Sequence, residues 1–187
     1  MQTLGLSDST PRTESRLKSL FWPTIRNEGD VDYLTQQGFW ICFVVAVITL
    51  VSYCISGSVL GGVFESTFFF LSGIGIREKS RIAAVGAFSA YLLSAIVLQR
   101  YTGQGFGLVR VIFLVLLLAN IRGISLSARW PNEDADSVPR LNVTLGDKLS
   151  DSMPKLLWPK TKYLLYVLTM MEIGILVVSL FAPTPKG

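Results

Sequence analysis

The chain has 187 residues, half of them hydrophobic and only 16% charged, so it lacks the polar skin of a soluble domain of this length. It contains no histidine, which excludes His-ligated metals, His-bound haem and Ser-His or Cys-His catalysis. Seventeen Lys and Arg stand against thirteen acids, a mild basic excess that does not argue for nucleic acid; in a membrane protein the placement of basic residues carries more information than their sum.

Residues 1–38 are polar and charged, with no short apolar core behind a basic tip, so no cleavable signal peptide is expected. Within them Leu17, Leu20, Phe21 and Trp22 recur at helical spacing among Arg16, Lys18 and Ser19. This pattern predicts a short amphipathic helix over 14–25, lying in the membrane interface and ended by Pro23.

The remainder, 39–187, reads as one polytopic membrane domain, because about five stretches approach the roughly 20 apolar residues that a transmembrane helix needs. The first span is expected at 39–55, containing Cys42 and Cys54 as small hydrophobes. The second, 59–76, is short and carries Gly61, Gly62, Gly73 and Gly75, so it could cross fully or re-enter. The third is expected at 82–98, with Gly86, Ala90 and Ser94 along one side; Gly57 and Gly61 form a second small-residue pair. The fourth covers 106–127 and the fifth 163–182, separated by a hydrophilic connection at 131–162. The fold class is therefore an all-α integral membrane protein of about five transmembrane helices preceded by an interfacial helix.

Basic residues cluster at one set of helix ends, which predicts a cytoplasmic N-terminus, a cytoplasmic 131–162 connection and a C-terminus on the opposite side. Trp22, Trp40, Trp130 and Trp158 fall at that same face as interfacial anchors. Pro23, Pro131 and Pro159 each follow a Trp directly and are expected to stop a helix at the boundary. The string Asn120-Ile121-Arg122-Gly123 resembles small bacterial membrane proteins, and four residues imply no activity; the expected location is a bacterial cytoplasmic membrane.

Charges inside a bilayer cost several kcal/mol at the least and normally face a partner. Glu65 and Arg110 lie at similar depths and are expected to pair. Asn120 and Arg122 in the fourth span could meet Glu172 in the fifth. The acidic run near Asp134 lacks the spacing of a calcium loop, and Gly103, Gly105 and Gly107 lack the context of a phosphate cradle. No catalytic constellation, metal site or cofactor motif emerges. The expected role is a non-enzymatic accessory or structural subunit, partnered by the lipid bilayer and by a larger membrane complex or further copies of itself. The alternative is a small transporter or channel subunit using Glu65, Arg110 and Glu172.

Overall fold

The computed structural model describes residues 21–22, 24–25, 28–103, 107–128 and 145–183. The described chain is all-helical: α1 Glu28–Ile55, α2 Val59–Arg77, α3 Arg81–Thr102, α4 Leu108–Ser127 and α5 Leu145–Phe181. Each contains a stretch long and apolar enough to cross a membrane. The expected interfacial helix falls mostly outside the described residues, as do Pro23, Trp130 and Pro131.

Successive helices alternate in direction. α2 packs against α1, α3 and α5, while α4 closes the bundle against α1 and α3. Apolar side chains also cover the outside: Leu60, Ile55 and Phe181 are all more than 80% exposed. Lipid is as apolar as these side chains, so burial alone does not hold such helices together; close packing and polar contacts do.

The glycines of α2 supply the close packing. Its 19 residues form one continuous helix of about 28 Å at ~1.5 Å rise per residue, so no re-entrant turn interrupts it. A Cβ on Gly73 would stand 3.0 Å from Cys42 Cβ and 3.2 Å from the Phe39 carbonyl, so the missing side chain lets α1 approach α2 at backbone distance. At Gly75 a Cβ would lie 2.5 Å from Ala83 Cβ and 2.7 Å from the Trp158 ring. The notch at Gly75 thus joins α2, α3 and α5. In the third span, Gly86 receives Thr169 of α5 and Ala90 is fully buried, so that small-residue row serves contacts within the chain. Gly57 instead sits in the α1–α2 turn with φ +79° and nothing near it.

Two boundaries differ from the sequence reading. α1 begins at Glu28, eleven residues before the expected start at 39, because its polar first turns face protein groups. α5 begins at Leu145 and runs through Pro154 and Pro159, so neither proline ends the helix and the second part of the 131–162 connection is helical. Tertiary contact explains why α5 tolerates Pro154. Pro154 has no N–H to offer the carbonyl of Ser150, four residues earlier. Arg77 Nε donates to that carbonyl instead, at 3.3 Å. Farther along, the Trp158 ring sits in the Gly75 notch, half-buried in the bundle, so it locks helices together.

Arg77 is the centre of a clasp at the end of the bundle where α1 begins. Its Nη1 donates to Asp32 Oδ1 at 2.5 Å, to the Asp32 carbonyl at 3.0 Å and to Thr35 Oγ1 at 3.0 Å. Gln36 Nε2 donates to Ser150 Oγ at 3.3 Å, tying α1 to α5 directly. The Arg77 side chain is only 8% exposed, and Thr35 and Ser150 are fully buried. At the far end, Arg100 donates to the carbonyls of Leu180 and Ala182, and the Tyr101 hydroxyl donates to that of Ser179. These are carbonyls that a helix C-terminus leaves without intrahelical donors.

Candidate intramembrane acidic site

Glu65 lies on α2, six residues from its far end, and Glu172 lies on α5, nine residues from its far end. Both therefore fall in the same half of the bundle, about 9–14 Å below the far ends at ~1.5 Å per residue. α2 and α5 pack against each other, and the two acids lie within electrostatic range of one another. Tyr53, near the far end of α1, completes the group: its phenol stands beside Glu65 and within electrostatic range of Glu172. Local packing sets the Tyr53 position, because Gly61 and Gly62 leave room for it on α2. A Cβ on Gly62 would meet Tyr53 Cβ at 2.5 Å.

Burial sharpens the contrast between the two acids. Glu172 is 5% exposed, whereas Glu65 is half-buried. Neither carboxylate forms an ion pair within 4 Å among the described residues. Two carboxylates within electrostatic range in a water-poor setting are costly when both are charged, and a proton, a small cation or an incoming basic side chain would remove that cost.

The expected Glu65–Arg110 pair is not formed. Arg110 lies within electrostatic range of Tyr91 on α3 instead. Arg110 lies two residues from the far end of α4 and Glu65 six from that of α2, so the two also differ in depth by about 6 Å at ~1.5 Å per residue. Asn120 and Arg122 likewise do not meet Glu172. Asn120 is fully buried against α1, where its Oδ1 lies 2.5 Å from the point a Gly38 Cβ would occupy. Its amide nitrogen donates to the Leu116 carbonyl at 2.9 Å, and its Oδ1 has no hydrogen-bond partner. Arg122 carries the Trp22 ring, 4.9 Å from guanidinium carbon to ring centre.

Comparison with protein-family models, curated proteins and solved structures returns no match. Residue chemistry is therefore the ground for any functional reading. Among the described residues, no three His, Cys, Asp or Glu side chains gather as a metal site would require. Tyr53 was missed from sequence because a tyrosine near a helix end reads as an interfacial anchor. Asp32, Thr35 and Ser150 were missed because they sit in segments that hydropathy assigns to loops. Pro154 carried a signal: a proline inside a helix frees one carbonyl and asks which donor serves it.

Proposed function

We propose that this chain is a non-enzymatic integral membrane protein that acts as an accessory or structural subunit of a membrane complex or homo-oligomer. The N-terminus and the Arg77 end face the cytoplasm, in the cytoplasmic membrane of a bacterium. Glu65 and Glu172 receive a cationic side chain from a neighbouring subunit. The observation that supports this reading is the pair of carboxylates within electrostatic range of each other, with Glu65 partly open at the bundle surface. An intramembrane acid normally finds a basic or polar partner, and here the paired basic group is absent among the described residues.

The same two acids support a second reading, a small transporter or channel subunit in which they carry a proton or cation. Glu65→Gln separates the two. Under the assembly reading, material purified in mild detergent loses its co-purifying partner by about tenfold, equivalent to ~1.4 kcal/mol, while the bundle melts at an unchanged or higher temperature. Retention of every partner together with loss of ion or proton flux in reconstituted vesicles would overturn assembly in favour of transport.

Orientation is tested by cysteine labelling in a variant lacking Cys42 and Cys54. An impermeant maleimide should label Ser56→Cys, in the exposed α1–α2 turn, on intact cells. It should label Glu78→Cys, at the other end of α2, only after permeabilisation. The reverse pattern would invert the assignment.

A further inference from the structure

Among the described residues, the far half of the bundle holds two basic side chains, Arg100 and Arg110. Arg100 is engaged, donating to the Leu180 and Ala182 carbonyls. Arg110 is not. Its guanidinium makes no ion pair and no hydrogen bond among the described residues, and the group within its electrostatic range is the Tyr91 phenol. Leu108 and Val109 beside it are exposed, whereas Arg110 is half-buried, so its stem packs against the bundle.

The chain therefore carries two incomplete charges of opposite sign in the same half of the membrane. Glu65, half-buried on α2, has a phenol and a second acid near it and no cation. Arg110, half-buried on α4, has a phenol near it and no acid. Each is costly alone in an apolar layer, and no ion pair joins them within one chain. A second copy supplies what each lacks. Copies inserted in the same orientation keep both residues in the far half, and an offset of about 6 Å along the axis is within the reach of two long side chains.

We propose that this chain self-associates head to tail, Arg110 of one copy entering the Glu65–Glu172 site of the next. The guanidinium presents its donors in a planar fork that suits carboxylate oxygens. The proposal rests on the assembly reading of the acidic site and names its partner as a second copy of this chain. The two surfaces lie on different helices, so the contact is heterologous. Each copy keeps one Arg110 and one acidic site open until a ring closes or the series runs on.

Complementation between variants tests this. Full-length chains are expressed with two different tags, purified in mild detergent and weighed intact. The wild type should form trimers or larger assemblies. Glu65→Gln alone and Arg110→Gln alone should each lose self-association by about tenfold, the scale of one polar contact between membrane helices. Co-expressed, the two variants should recover association but stop at dimers, because one complete Arg110–Glu65 contact remains and the other half of each copy is blocked. Exchanging the charges within one chain, Glu65→Arg with Arg110→Glu, should restore assembly beyond the dimer, and thermal melts verify that each variant is folded. A monomeric wild type, single variants that associate as the wild type does, or a variant pair that associates no better than either alone would each overturn the proposal. Release of a different co-purifying protein by Glu65→Gln, with that protein still bound to Arg110→Gln, would also overturn self-association while leaving the assembly reading of the acidic site in place.

Discussion

Arg77→Met should release α1, α2 and α5 from one another at the Arg77 end and lower the stability of the purified protein by several kcal/mol. The guanidinium is 8% exposed and serves Asp32, Thr35 and the Ser150 carbonyl together. Methionine fills much of the space and supplies none of the donors. Removing one member of a buried ion pair costs roughly 3–5 kcal/mol, because the remaining charge is left without compensation. Asp32 keeps 25% of its side chain exposed, which places the expected loss toward the lower end of that range. Thermal unfolding in detergent, followed by tryptophan fluorescence, measures it. Adding Asp32→Asn should recover part of the loss, since the leftover charge is removed as well. A wild-type melting temperature for Arg77→Met would show that the clasp is dispensable.

Gly75→Ala should be the most damaging single-methyl change in the membrane-embedded part of the chain. The new Cβ would be 2.5 Å from Ala83 Cβ, an atom fixed to the α3 backbone, and 2.7 Å from the Trp158 ring. Neither neighbour can move aside by rotating a flexible tip, so α3 or α5 must shift away from α2. Overpacking of this kind costs about 1–3 kcal/mol. Ala83→Gly in the same chain should return part of the stability, and Trp158→Phe should return another part. The coupling energies from the two double-mutant cycles then divide the strain between α3 and α5. An additive outcome in both cycles would mean that the notch is not where the three helices meet.

Hydropathy located the second, third and fourth helices closely, because lipid-facing and buried residues are both apolar and the signal does not depend on packing. The expected second span of 59–76 corresponds to α2 at Val59–Arg77, and the expected 106–127 to α4 at Leu108–Ser127. Helices one and five extend beyond their apolar stretches for a shared reason. Their polar turns are satisfied by each other and by Arg77, and such contacts leave no periodic trace in the sequence. The candidate site was legible in part. Glu65 and Glu172 stand out as acids in apolar runs, yet their pairing could not be read, because depth supplies only one coordinate. The second coordinate, direction around the helix axis, becomes known only when the order of helices in the bundle is known. Arg110 stands two residues from the far end of α4, against six for Glu65 on α2, and lies within electrostatic range of Tyr91 instead.

The missing amide hydrogen at Pro154 also orders events in time. The ribosome makes the donor that serves Ser150 early, on α2, and the acceptor last, on α5. Until α5 emerges, Arg77 can reach Asp32 and Thr35 but not its fourth acceptor. Nascent α5 meanwhile holds an open backbone carbonyl that its own residues cannot fill. Closure of this contact thus waits for α5, and chains truncated before Ser150 should stay more sensitive to membrane proteases than the full-length protein.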